Sequence, residues 1–194
     1  MPELTAPDQI IPQSLGDYLG ILTKAVFQSG ISWRVGESKW PGIREAFHDF
    51  DIETVAAFGP DDIETLVGDK RVIRNRRKIE AIVGNARKLI ELDEEHGGFR
   101  SYLRSHADFP ATIKDLRKQF KFMGDMGCYY FLYVVGEEVP SHEDWMKSRA
   151  YSTSDTRGLG RSIRTNTEEL ISAGSSGIKG LHKLGNRKTL HFRS

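Results

Sequence analysis

The sequence predicts an all-α fold. Three observations carry that prediction. Apolar residues recur at helical spacing along most of the chain, the alternation expected of strands is scarce, and glycine or proline punctuates almost every apolar stripe. With 194 residues and 38% hydrophobic content, the chain can build one compact core, alone or with a tail.

The elements follow in order. Ser14 caps a helix whose apolar stripe is Leu15, Tyr18, Leu19, Leu22 and Val26, with Gly30 as its stop. Trp40, Ile43 and Phe47 mark a short helix with Pro41 in its first turn. Asp51 caps Ile52 to Phe58. Pro60 opens another short helix, with Asp61 and Asp62 at its positive end and Gly68 just past its finish. The clearest helix carries Ile79, Ile82, Val83, Ala86, Leu89 and Ile90 on one face and ends at Gly97-Gly98. Thr112 and Asp115 resemble a capping box ahead of a helix through about Gln119. The turn Phe120-Lys121-Phe122-Met123-Gly124-Asp125-Met126-Gly127 follows, then a helix from about Cys128 to Val135 that stops at Gly136.

After Arg149 the pattern decays into Ser, Thr, Gly and Arg, with Leu170-Ile171 as a weak apolar nucleus. We therefore expect a helical domain over residues 1–146 and a basic extension over 147–194. The extension carries ten Lys/Arg against Asp155, Glu168 and Glu169, a formal +7 that leaves −6 for the rest of the +1 chain. A basic tail on an acidic body points to a polyanion partner, although a solvated tail fits equally well. No run of about 18 apolar residues exists, so no membrane span is expected. The first residues carry no signal-peptide pattern, and the single cysteine, Cys128, suits a reducing compartment. The expectation is an unexported, cytoplasmic monomer. Scattered histidines without a CxxC pair give no metal site by spacing, and no cofactor is expected.

Two features point to nucleic acid. Helices joined by a tight glycine turn can aim backbone N–H groups at one phosphate, and Gly124 and Gly127 beside Lys121 fit that device. An ordinary helix–helix turn, with Cys128 as a buried apolar residue, accounts for the same residues. The second feature is Lys70, Arg71, Arg74, Arg76, Arg77 and Lys78, which can neutralise several phosphates; the competing view is a solvated charged face, partly offset by Asp69 and Glu80.

Three blocks resemble the DNA-3-methyladenine glycosylase I family, within the helix-hairpin-helix DNA glycosylase superfamily. The first is Phe27-Gln28-Ser29-Gly30-Ile31-Ser32-Trp33, followed at the family's spacing by Arg44, Phe47, Phe50 and Asp51. The second is Val72-Ile73-Arg74-Asn75-Arg76-Arg77-Lys78-Ile79-Glu80-Ala81-Ile82-Val83-Gly84-Asn85-Ala86, which looks like the family's I-R-x-x-x-K-I-x-A-x-x-x-N-A signature. The third is Phe120-Lys121-Phe122-Met123-Gly124, then Cys128-Tyr129. Together they cover roughly residues 15 to 145 in the family's order.

The resemblance implies the helix-hairpin-helix fold and hydrolysis of the N-glycosidic bond of a damaged base flipped out of double-stranded DNA. It implies that Trp33 stacks on that base, that Gly30-Ile31 enters the gap left in the duplex, and that Gly124 and Gly127 belong to the phosphate-binding hairpin. The chain also departs from the family. Ala25 stands at the family's pocket carboxylate. The N-terminal Cys and His ligands of the family's zinc are missing, as is its aromatic-rich N-terminal segment. His142 aligns with the later histidine, but Met146 stands at the last cysteine. We expect no zinc and an altered pocket.

Catalysis does not demand an acid at Ala25 for every lesion. A base alkylated on a ring nitrogen is cationic and already a good leaving group, so extrusion against π-faces can carry much of the work. Trp33, Trp40, Tyr129 and Tyr130 could offer such faces; core packing is the alternative for all but Trp33. In Gly136-Glu137-Glu138-Val139-Pro140-Ser141-His142-Glu143-Asp144, Glu143 falls where the wider superfamily carries an aspartate, with Asp144 one step on. Either could stabilise an oxocarbenium ion or place a water, or both could be solvated loop acids. Lys121 and Lys78 read better as phosphate contacts than as Schiff-base nucleophiles. The expected function is a monofunctional, metal-independent glycosylase for small alkylated purines such as 3-methyladenine. A catalytically inactive damaged-DNA-binding module of the same fold is the alternative. A helical protein-interaction domain leaves the hairpin and the basic cluster unexplained.

Overall fold

The computed structural model describes residues 7–29 and 33–149, with residues 33–35 described by their backbone alone. Gly30, Ile31, the Trp33 side chain and the tail beyond Arg149 lie outside the described residues. Among the described residues the fold is helical, as the sequence predicts, and no strand occurs. None of these helices is long and apolar enough to cross a membrane.

Helix α1 spans Leu15–Gln28 and begins as expected: the Ser14 hydroxyl accepts from Asp17 N–H, while the Asp17 carboxylate accepts from Ser14 N–H. Helix α2 spans Trp33–Ala46 and overturns the expected short helix, because Pro41 lies in its interior and not in its first turn. The glycine, serine and charge that precede Pro41 hid this helix from a periodicity argument.

Three residues, His48, Asp49 and Phe50, then take φ of 52°, 53° and 61°. Left-handed backbone costs a residue with a Cβ about 1–2 kcal/mol. Burial of Phe50 offsets that cost. Its ring stacks on Trp40 at 5.4 Å and on Phe47 at 5.9 Å between centroids. The approach to α1 requires glycine: a Cβ on Gly16 would lie 2.6 Å from the Phe50 carbonyl oxygen, and one on Gly20 would lie 3.2 Å from its ring.

Helix α3 spans Ile52–Ala57, and Asp51 caps it through Thr54 N–H at 3.0 Å. Helix α4 spans Pro60–Gly68, with the Asp62 carboxylate reaching back to Gly59 N–H. Helix α5, Arg76–His96, packs its apolar stripe against α1, α3 and α4 and ends where Gly97 takes φ 65°. The sequence reading lacked α6, Phe99–Leu103, whose Phe99, Tyr102 and Leu103 are buried.

Helix α7 spans Phe109–Gln119 and corrects the expected capping box. Asp108 is the cap, accepting from Ala111 N–H. Thr112 instead donates to the Asp108 carbonyl, and Asp115 accepts from the Tyr102 hydroxyl. Helix α8, Asp125–Val134, starts three residues before the expected Cys128. Its carbonyl end meets the N-terminal arm, where Ile10 N–H donates to Val134 O at 2.7 Å. The chain divides into two units, Met1–Pro140 and Ser141–Ser194; in the second, residues 142–149 are helical.

The left-handed turn gives a direct test. Gly16→Ala forces a methyl onto the Phe50 carbonyl and should lower stability by about 1–3 kcal/mol. Gly68→Ala, where a Cβ meets nothing within 4 Å, should instead stabilise by about 0.5–1 kcal/mol. Thermal unfolding of both variants checks the opposite signs.

Candidate nucleic-acid interface

The turn between α7 and α8 is held from below. Phe120 is buried and closes α7 through its N–H to Leu116 O at 2.9 Å. The next residue is gripped on both sides of its backbone by Asn85 of α5: Lys121 N–H donates to Asn85 Oδ1 at 2.9 Å, and Asn85 Nδ2 donates to Lys121 O at 3.2 Å. Phe122 is left-handed at φ 58° yet 44% exposed, an aromatic ring that the core does not absorb.

Gly124 caps α8 at an ordinary φ of −82°, without a side-chain cap. A Cβ there would meet no atom within 4 Å. The fold itself therefore does not demand glycine at 124; the open space in front of it suits close approach by a ligand. The first bond inside α8 runs from Cys128 N–H to Gly124 O at 2.9 Å. The N–H groups of Met126 and Gly127 lie ahead of it, at the positive end of the helix, as an anion site requires. Gly127 is thus corrected from turn to helix. A Cβ on it would sit 3.7 Å from the Ala25 Cβ, so it also permits close packing of α8 on α1.

An open depression of about 490 Å³ runs along this turn, lined by Ser29, Arg117, Lys118, Lys121, Phe122 and Gly124 among others. The end of α1 and the hairpin turn therefore share one cationic groove. The sequence reading found Lys121 and Gly124 but missed Arg117 and Lys118, which look like ordinary charges on the last turn of α7.

The cluster before α5 is sorted by its partners. Arg71 is held by Asp69 at 2.7 Å and by Glu45 at 2.9 Å, and Arg76 by Glu64 and by Glu80 at 3.8 Å. These hydrogen-bonded carboxylates push both guanidinium pKa values up. Lys78 is a correction: it does not face solvent. Its ammonium donates to Phe27 O at 3.2 Å and to Ser29 O, and burial pushes its pKa down. Arg74 and Arg77 are exposed and have no ion pair among the described residues.

The aromatic faces are also partly taken. Trp40 stacks on Phe50, and the Lys24 ammonium lies 5.3 Å from its ring centre. Tyr129 is buried, edge-on to Phe109 at 5.9 Å, with its hydroxyl donating to Pro140 O at 2.9 Å. Tyr129 is thus taken up by the packing, unlike the base-binding face expected of it, while Trp40 keeps part of its surface exposed. Tyr130 is half-buried, and burial together with Glu37 pushes its phenol up to about 12. Cys128 is buried, as expected, and burial pushes its thiol up to about 12.

In the second unit, Glu143 pairs with Lys147 at 2.7 Å, and its side chain is 78% exposed. Asp144 accepts from the Ser141 hydroxyl at 2.6 Å and returns its own N–H to that oxygen, capping the 142–149 helix. Among the described residues no group of three or more His, Cys, Asp or Glu side chains converges to hold a metal.

An all-helical body with an anion-ready hairpin and a cationic groove defines a class of helical proteins suited to a phosphate backbone. Comparison with known proteins makes the class particular. Residues 18–144 match the family model for methyladenine glycosylase, and the chain belongs to that family. It is 32% identical over 130 residues to DNA-3-methyladenine glycosylase 1 of Escherichia coli (strain K12), covering 56% of this chain and 70% of that protein. It is 27% identical over 130 residues, with the same coverage, to DNA-3-methyladenine glycosylase of Haemophilus influenzae. A crystal structure of 3-methyladenine DNA glycosylase I superposes with a TM-score of 0.57 at 26% identity, covering 66% of this chain and 81% of the other. The Staphylococcus aureus 3-methyladenine DNA glycosylase I, solved for the basis of its 3-methyladenine recognition, gives 0.57 at 25% identity, covering 66% and 79%.

If the cluster before α5 meets a phosphate backbone, its unpaired cations carry the contact. Replacing Arg74 and Arg77 together by Ala should then flatten the dependence of log K on log salt for duplex binding by about 1.8, at roughly 0.9 per phosphate contact. Arg76→Ala should change that slope far less. A slope unaltered in the double variant would take both residues out of the interface.

Proposed function

We propose that this chain is a base-excision glycosylase that acts as a monomer on double-stranded DNA. It hydrolyses the N-glycosidic bond of a flipped-out alkylated purine, 3-methyladenine foremost, without metal or a lyase step. Family membership supports the reaction class. The observation that carries the reading to this chain is the shared groove, where the end of α1 meets the cationic, glycine-capped hairpin. The hairpin N–H groups and Lys121 would hold a phosphate beside the lesion, and the Gly30-Ile31 segment would fill the gap left by the base.

The chemistry suits a cationic base. The N-glycosidic bond breaks with its electron pair passing to the alkylated ring, which leaves neutral. Water then adds to the sugar carbon and loses a proton. No carboxylate at position 25 assists, so extrusion, stacking on Trp33 and exclusion of water supply the help. A second reading, an inactive damaged-DNA-binding module, is favoured by one observation: Ala25 is buried at 5% exposure, while Glu143 and Asp144 are engaged locally.

Purified protein incubated with methylated duplex should release 3-methyladenine and no unmodified base, read by chromatography of the free bases. No base released from any alkylated or deaminated duplex, with binding retained, establishes the module instead.

Within the enzyme reading, Trp33→Ala should lose more single-turnover activity than Glu143→Gln or Asp144→Asn. A base stack is worth about 1–3 kcal/mol, or roughly ten- to hundredfold in rate if realised at the transition state. The reverse ranking in folded variants moves the chemistry to the Glu143 position.

The +7 extension adds non-specific affinity on this reading and does not build the pocket. Removing the residues beyond Met146 should weaken duplex binding at low salt and leave the melting temperature unchanged. A truncated protein that aggregates would make the tail part of the core.

A further inference from the structure

Four polar or charged residues are buried among the described residues: Thr23, Lys78, Asn85 and Thr112. Two of them lie on α5, seven residues apart. That spacing is close to two turns, so both share one stripe, separated by about 10.5 Å along the axis. A position that needed only volume would be filled more cheaply by Met or Leu, because burying an ammonium or an amide costs free energy unless every polar atom is matched.

Each residue is matched by backbone and each grips a different chain segment. Lys78 Nζ donates to Phe27 O at 3.2 Å and to Ser29 O, the last described carbonyls before the Gly30-Ile31 segment. Asn85 closes a pair of hydrogen bonds with Lys121 N–H and C=O in the hairpin turn, at 2.9 and 3.2 Å. Ser29 and Lys121 line the same groove. Gly84 stands beside Asn85, and a Cβ there would lie 3.9 Å from Lys121 Nζ, so the hairpin lysine's ammonium reaches α5 next to its anchor.

We propose that Lys78 and Asn85 are paired positioning residues that make α5 a ruler between the end of α1 and the hairpin turn, which line one groove. Lys78 fixes where the chain leaves α1, and Asn85 fixes the phosphate-binding turn. Their separation on one helix sets the spacing of the two backbone segments, at Ser29 and Lys121, that line the groove. Both act through backbone, so neither touches the nucleic acid. The proposal rests on the glycosylase reading above and assigns Lys78 a role opposite to the phosphate contact expected from sequence.

The test uses the full chain and two fluorescent duplexes, one undamaged and one with a single tetrahydrofuran abasic-site analogue. The unsubstituted protein should prefer the abasic duplex. Lys78→Met and Asn85→Leu should each reduce that preference by about tenfold or more, the scale of losing a hydrogen bond to a charged or buried group. Affinity for the undamaged duplex should fall by less than affinity for the abasic one in both variants. The double variant should lose no more than the worse single one, because one lost anchor already frees the register.

An unchanged preference in folded single variants overturns the proposal. So does a parallel loss on both duplexes, or full additivity in the double variant, since those outcomes mark a general effect on folding or binding. Should the apolar variants fail to fold, Asn85→Asp decides. It keeps the acceptor for Lys121 N–H and removes the donor to its carbonyl; a reduced preference supports the ruler and an unchanged one overturns it. Lys78→Arg, which retains a cation for the two carbonyls, should recover part of the preference that Lys78→Met loses. An unsubstituted protein that releases no base yet prefers the abasic duplex defeats the catalytic reading alone. No preference at all overturns both.

Discussion

The constraint on which the structure turns is the burial of a cation at the start of α5. An ammonium taken from water costs several kcal/mol unless oxygen surrounds it, and the oxygens that α1 offers are carbonyls left without helical donors at its end. Lys78 and the end of α1 therefore solve one another's problem. The solution ties the first helix to the central one at a fixed place. From there the packing follows. The α5 stripe covers α1, α3 and α4, and Asn85 carries the same logic to the hairpin.

Much of the fold could be read from the sequence because its signals are local. Ser14, Asp51 and Pro60 start helices where capping chemistry says they should, and the Ile79–Leu89 stripe faces the core. What escaped was set by tertiary contacts. Asp115 looks like a capping acid, but its carboxylate goes to Tyr102 and His106 across the α6–α7 corner. Pro41 looks like a first-turn residue, yet α2 begins eight positions before it. The turn His48 to Phe50 has no sequence signature, because nothing forbids those residues ordinary φ values; Gly16 and Gly20, distant in sequence, make the turn possible.

The candidate site was legible in kind and less so in detail. The hairpin's glycine and lysine were visible as a pair. A row of six cations in nine positions, however, gives no hint of which are free, since charge on a sequence carries no record of its partners. Glu45, Glu64 and Asp69 remove Arg71 and Arg76 from the free set. Lys78 had a readable clue: it sits on the apolar stripe, four residues before Ile82 and seven before Asn85, where a charge must be matched or costly. Tyr129 misled for a related reason, because its hydroxyl is the polar handle that a buried ring needs as often as a binding ring does.

Ala25 links the packing to the chemistry. It is buried against Gly127, and this contact between small residues brings α1 close to the first turn of α8. A carboxylate in so buried a place would be desolvated and its pKa raised unless a cation or donors matched it. With alanine there, position 25 supplies neither a proton for the leaving base nor a charge for the sugar cation. What the groove retains is fixed dipoles, the cations Lys118 and Lys121 beside the Arg117–Asp125 pair, and the helix end, groups suited to a phosphate backbone and not to protonating a neutral base. A lesion that already carries positive charge needs no proton, and its departing ring becomes neutral as the bond breaks. An alanine at position 25 is thus compatible with a cationic purine and gives no help to a neutral one.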